Sequence, residues 1–150
     1  MMSRLPKLLL ICTLVATGAA CDEQLKDLAG PTPNLTPTFA SIQREIFNTR
    51  DSSGRAACVE CHNAARARFA GGMSLVEGVS YQALVGVAST GKPGATRVVA
   101  GDPDNSYILK KLLGSSGIAG GRMPFGTGPF LSDGQIRIIR RWIELGAKND

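Results

Sequence analysis

The sequence predicts an all-α fold with long loops, on three observations. Apolar residues recur at helical spacing in several stretches, most clearly at Ile136, Ile139, Trp142 and Ile143. No stretch alternates apolar and polar residues for long enough to make a strand, and Val98-Val99 is too short to count. The connections between the periodic stretches are long and rich in glycine, as at Gly91 to Gly94 and Gly120 to Gly126. Loops of that length are unusual in a bare domain unless something pins them.

The first helix is expected to begin with Thr36 as N-cap and Pro37 at the first helical position. Phe39, Ile42, Ile46 and Phe47 then fall on one face, and the turn cluster Asp51-Ser52-Ser53-Gly54 ends it. Ser80 is expected to cap a short helix carrying Tyr81, Leu84 and Val85. Asp102-Pro103 reads as a cap and first residue for a helix bearing Ile108, Leu109, Leu112 and Leu113, with Gly114 as its stop. The last helix has a capping box between Ser132 and Gln135 and a hydrophobic staple between Leu131 and Ile136. Arg137, Arg140 and Arg141 face solvent, Arg140 and Glu144 are spaced to pair, and Gly146 ends the helix.

The N-terminus reads as an export signal rather than part of the fold. Arg4 and Lys7 are a basic start, Leu8 to Ala16 a short apolar core, and Gly18-Ala19-Ala20 a small-residue cleavage site. The apolar stretch is too short to span a membrane. Cys21 follows the cut, as in a bacterial lipoprotein signal whose cysteine is lipidated, although such signals usually carry Leu where Gly18 stands. Ordinary cleavage after Ala20 is the plainer alternative. The expected organisation is a signal over 1–20, an anchor cysteine and flexible tether over 21–36, and one domain over 37–150. Loss of Arg4 and Lys7 takes the net charge from +5 to +3, too mild to argue for nucleic acid.

Four cysteines then reduce to two in the domain, Cys58 and Cys61, which leaves no disulfide framework. They stand in Cys58-Val59-Glu60-Cys61-His62, the C-x-x-C-H signature of covalent haem c attachment. Two thiols can add across the two vinyl groups of the macrocycle, and the adjacent imidazole can bind the iron as proximal ligand. The chain has one histidine, so a second ring cannot come from it. The sulfur candidates for the distal position are Met73 and Met123. Met123 is preferred. It sits in the glycine-rich Gly120-Gly121-Arg122-Met123-Pro124-Phe125-Gly126, where glycines allow close backbone approach and Pro124 holds Met123 extended. Met73 reads as a core gap-filler.

On these motifs the chain resembles a monohaem cytochrome c of the bacterial exported type, over about residues 37–148. Cys58-x-x-Cys61-His62 matches the attachment motif and Met123-Pro124 the distal-ligand motif. Gly101-Asp102-Pro103-Asp104-Asn105-Ser106-Tyr107 and Trp142-Ile143-Glu144-Leu145-Gly146-Ala147 resemble a branch common in lipoproteins of environmental bacteria. The resemblance implies a cytochrome c-like fold of about four helices and long loops around one covalent haem. In it the first and last helices cross, with Phe39, Ile46 or Phe47 meeting Ile139 or Trp142. Many relatives carry a Gly-Pro whose carbonyl accepts the histidine proton; no proline lies between His62 and Pro93 here, so a carbonyl near Gly71-Gly72 is expected to serve.

The functional expectation is an electron carrier, not an enzyme, working on the periplasmic side between redox protein partners and held at a membrane by an N-terminal lipid. His62 and Met123 would ligate the iron, and Arg55, Arg66, Arg68 and Arg122 would ring the exposed edge and steer acidic partners. A second reading is a peroxidase-like haem enzyme or gas sensor with an open sixth position, for which Arg122 is the sole distal candidate. A third is a zinc module on Cys58, Cys61 and His62, which lacks a near fourth ligand. A thioredoxin-like dithiol would need a βαβ context that the sequence does not offer.

Overall fold

A computed structural model describes residues 34–150. The signal, Cys21 and most of the tether lie outside the described residues. The observed class is all-α. Helix α1 (Phe39–Ile42) continues without a break as a π-turn over Gln43–Phe47, followed by α2 (Ser80–Leu84), α3 (Tyr107–Leu113) and α4 (Asp133–Glu144). Two 3₁₀ turns, Cys58–Glu60 and Ala64–Arg66, lie in the loop after the π-turn. Among the described residues β structure is limited to isolated bridges such as Val85 with Val98, and no helix is long and apolar enough to cross a membrane.

Helix α4 forms as its sequence directs. Ser132 Oγ accepts from the Gln135 amide (3.2 Å) while Gln135 Oε1 accepts from the Ser132 amide (2.9 Å). Its inner face is wider than expected, because Ile138 and Gln135 are buried beside Ile136, Ile139, Trp142 and Ile143. The helix ends at Gly146 (φ 98°), and Ala147 donates back to the Trp142 carbonyl at 2.9 Å. Arg140 does not pair with Glu144. It reaches Asp104 (2.8 Å), and Glu144 takes Arg141 (3.3 Å). The tertiary neighbour wins because both alternatives are exposed pairs of small net worth.

The three other helix starts are displaced from their expected caps. Thr38, not Thr36, caps α1, accepting from the Ser41 amide. Thr36 instead donates its amide to Ser41 Oγ (3.0 Å). Ser80 is the first residue of α2 after Val79, because its hydroxyl is drawn away to the buried Gln43 side chain. Asp102 and Pro103 form a turn in which Asp102 accepts from the Asn105 amide (3.1 Å), and α3 begins four residues later, after Ser106. Ser106 makes no cap because its hydroxyl bridges the Val99 amide and the Asp102 carbonyl. Ser80 is thus used in a long-range bond, whereas Thr36 and Asp102 are used in turns that precede their helices.

The core is one cluster running from Leu35 to Ala147. Leu35, which composition places in the tether, is fully buried in it. Phe39 sits at its centre, with ring centroids 5.4 Å from Trp142, 5.2 Å from Tyr81 and 6.4 Å from Phe47. The first and last helices therefore meet where expected, through Phe39 and Trp142. The segment after α4 returns to α1: the Asp150 carbonyl accepts from the Ala40 amide at 2.8 Å.

Arg55 is fully buried, which removes it from any surface ring of charges. Its Nε donates to Asp51 (2.9 Å), and its other donors go to the carbonyls of Ile46, Thr49 and Ala56. Burial alone would raise the Asp51 carboxyl. Hydrogen bonds from Ser53 and Arg55 and the guanidinium charge outweigh that and hold it below the usual carboxylate range. Arg55→Ala leaves Asp51 buried without its partner and should cost about 3–5 kcal/mol, read as a fall in the denaturant midpoint. Because the Asp51 pKa is lowered on folding, its contribution is present above the unfolded carboxylate pKa and lost as pH falls through the folded one. Asp51→Asn should therefore flatten the acid limb of stability against pH.

Candidate functional site

The C-x-x-C-H segment is wound into a single tight turn. The amides of Cys61 (3.2 Å) and His62 (2.8 Å) both donate to the Cys58 carbonyl, and Glu60 reaches back to the Ala57 amide (2.8 Å). This places the two thiols three residues apart on one turn, but in different environments. Cys61 is exposed. The Cys58 sulfur turns inward toward the Ile46 carbonyl (3.6 Å), with Arg55 Nη1 at 3.9 Å. Burial pushes the Cys58 thiol up to about 11, against the opposing pull of the Arg55 charge.

His62 is fixed by its backbone. Its carbonyl accepts from the Leu75 amide (2.8 Å), the Leu75 carbonyl accepts from Gln43 Nε2 (2.9 Å), and Gln43 Oε1 accepts from Ser80 Oγ. A buried glutamine on the π-turn thus links α1, α2 and the loop that follows His62. Burial lowers the His62 pKa. The charges of Arg97 and Lys111 push the same way, while backbone groups of Met73 and Ala70 pull against them. The ring is held uncharged near neutrality, the state in which imidazole binds a metal.

His62 Nδ1 is buried and has no well-aligned hydrogen bond, the one such side-chain nitrogen or oxygen among the described residues; the Met73 and Ala70 backbone lies against the ring without good hydrogen-bond geometry. Of the acceptors expected near Gly71-Gly72, the backbone groups of Met73 and Ala70 on either side act on the ring and raise its pKa, while the Gly71 and Gly72 carbonyls serve other donors. The Gly71 carbonyl takes Thr90 Oγ1 (2.6 Å) and Arg97 Nη2 (2.8 Å), and the Gly72 carbonyl takes Arg97 Nη2 (3.3 Å). A buried nitrogen without a well-aligned partner is uncommon and calls for an explanation.

Met123 and Met73 are both half-buried and both pack against the core cluster, so burial does not separate them. Their tethering does. Met123 donates its amide to the Lys111 carbonyl on α3 (2.9 Å), and Lys111 Nζ holds the carbonyls of Ala119 (2.8 Å) and Gly121. The Met123 loop is strapped to a helix at both ends of one lysine. Phe69, after the His62 turn, and Phe125, beside Met123, are 78% and 81% exposed.

The other arginines divide. Arg66 and Arg68 are exposed, and Arg68 stacks on Phe69 (4.4 Å). Arg122 is engaged with the Leu112 carbonyl (2.7 Å) and the Phe130 ring (4.0 Å). Sequence reasoning missed Arg97, Lys111 and Gln43, whose positions carry no motif. Among the described residues no three His, Cys, Asp or Glu side chains gather within reach of one metal ion. Comparison with known proteins finds no matching family model, no matching curated protein and no matching solved structure.

In the full chain with both thiols free, iodoacetamide should modify Cys61 first. A thiol pKa moved from 9.0 to about 11 leaves roughly 100-fold less thiolate at neutral pH. Peptide mass spectrometry over time would follow both sites; equal rates would contradict an inward Cys58 sulfur.

Proposed function

We propose that this chain carries one haem c, bound through Cys58 and Cys61 and ligated by His62 and Met123, and that it transfers electrons between redox proteins. The observation that carries the reading is C-x-x-C-H laid on one helical turn, with a largely buried, uncharged imidazole directly after the second thiol. A haem supplies reversible one-electron exchange at its iron, and a thioether ligand favours the ferrous state.

The residues present fit that group. A buried imidazole suits metal ligation when one ring nitrogen is free for the metal and the other faces a backbone carbonyl, and the backbone groups of Met73 and Ala70 lie against this ring. The large apolar rings of Phe69 and Phe125 stand exposed on the two loops that carry His62 and Met123. A flat apolar macrocycle held between those loops would cover surface of this kind. Gly120 and Gly126 adopt positive φ (65° and 120°) beside Met123, backbone that a side chain would strain.

The chain's own contribution is to hold ligands and limit reorganisation. Gln43 and Leu75 set the His62 backbone, and Lys111 sets the Met123 loop. Both attachments belong to the packed core rather than to free loops. Arg122, the distal candidate of a peroxidase-like enzyme, is turned to the Leu112 carbonyl through its Nε and to the Phe130 ring, which favours the carrier reading. Export to the periplasmic side and a lipid on Cys21 complete the proposal. Haem c is attached on that side of the membrane, and the signal read from residues 1–20 leads there.

An absorption spectrum of the protein matured in an exporting host, oxidised and reduced, with a pyridine haemochrome assay, tests the cofactor and its attachment together. The expected result is a haem c haemochrome and no change of the reduced spectrum under CO. Met123→Ala should abolish the weak sulfur-to-iron band, admit CO and lower the potential. An unaltered Met123→Ala spectrum would move the ligand to Met73, and colourless mature protein would end the proposal.

A further inference from the structure

Among the described residues, two cations bonded to the loops around the site meet no carboxylate. Arg97 is only 7% exposed, yet it meets no carboxylate. Its Nη1 donates to the Ala83 carbonyl (2.7 Å) and its Nη2 to those of Gly71 (2.8 Å) and Gly72 (3.3 Å). Lys111, half-buried on α3, is likewise bonded only to carbonyls, those of Ala119 and Gly121. The ion pairs among the described residues are made by other arginines.

Neutral carbonyls solvate a buried cation without cancelling its charge, and desolvation pulls both groups below their usual pKa. Donors are also left over. A guanidinium has five N–H groups and an ammonium three, so two remain on Arg97 and one on Lys111. The positions of the two cations along the chain are complementary: Arg97 pins the loop between His62 and Met73, and Lys111 pins the loop that ends in Met123.

Resting on the haem reading above, we propose that Arg97 and Lys111 bind the two propionate carboxylates of the macrocycle. Two cations meet two anions, and the spare donors meet carboxylate oxygens. The plainer role, that of clamps on the two loops, is already met by the carbonyl bonds and does not account for buried charge. A lysine-to-methionine change would remove a clamp and a charge together, so the test separates the two.

The test uses the mature haem-bearing full chain. Arg97→Gln and Lys111→Gln keep a hydrogen-bonding side chain and remove the charge, while Arg97→Lys and Lys111→Arg keep it. The readouts are the propionate-bending bands of the low-frequency resonance Raman spectrum and the midpoint potential. Each glutamine variant should displace a propionate band and lower the potential, because losing a nearby positive charge favours the ferric iron. The charge-keeping variants should restore the potential. Parent-like bands and potential in the glutamine variants would reduce both residues to loop clamps and overturn the proposal. If the glutamine variants do not accumulate, the exchange variants decide: Arg97→Lys loses the two-pronged geometry and should still displace a band, and an undisplaced one overturns it. Inorganic phosphate added to the parent should move neither readout; a phosphate-dependent shift would make these cations a site for a free anion instead. A negative haemochrome assay on the parent would strike the underlying reading, and is seen before any variant is made.

Discussion

A single buried guanidinium, that of Arg55, holds the site segment to the rest of the fold. Its donors are shared among the carbonyls of Ile46, Thr49 and Ala56 and the Asp51 carboxylate. Those acceptors lie on the end of the π-turn, the turn cluster and the strand-like approach to Cys58. A cation in such a place is tolerable only when paired and fully hydrogen-bonded, and Asp51 supplies the pair. The same side chain then stands beside the Cys58 sulfur, so the geometry of the turn and the surroundings of one thiol have a common origin.

Gln43 does for His62 what Arg55 does for Cys58. The π-turn sets Gln43 inward, where it bonds Asn48, the Leu75 carbonyl and Ser80. Leu75 in turn holds the His62 carbonyl. A short first helix that packs Phe39 on Trp142 is thereby coupled to the residue most suited to bind a metal. The coupling is polar and buried, which makes it specific: each member has a partner whose loss would leave an unsatisfied group. On the opposite loop Lys111 performs the corresponding task for Met123 with carbonyl contacts alone.

Charge around the site is also redistributed by folding. Four arginines near the motifs look alike in the sequence, yet Arg55 is interior, Arg122 is bound to a carbonyl and a ring, and Arg66 and Arg68 are exposed. Arg97 and Lys111, which lie in no motif, are the cations that bear on His62. Long-range packing decides which charge is desolvated, and burial in turn decides how strongly a charge acts.

The order of side chains alone specifies the helical class, the α4 helix with its capping box, and the turn that carries two thiols and an imidazole. These depend on periodicity and on bonds between residues a few positions apart, which the order of side chains specifies directly. Only the tertiary structure decided which serine or threonine caps each of the other helices, that Arg140 pairs with Asp104, that Arg97 takes the carbonyls expected for His62, and that Arg55 is interior. The physical reason is that several polar side chains have more than one partner within reach along the chain. The packed fold decides which one they take, as for Ser80 with Gln43 and Arg97 with Ala83 and Gly71.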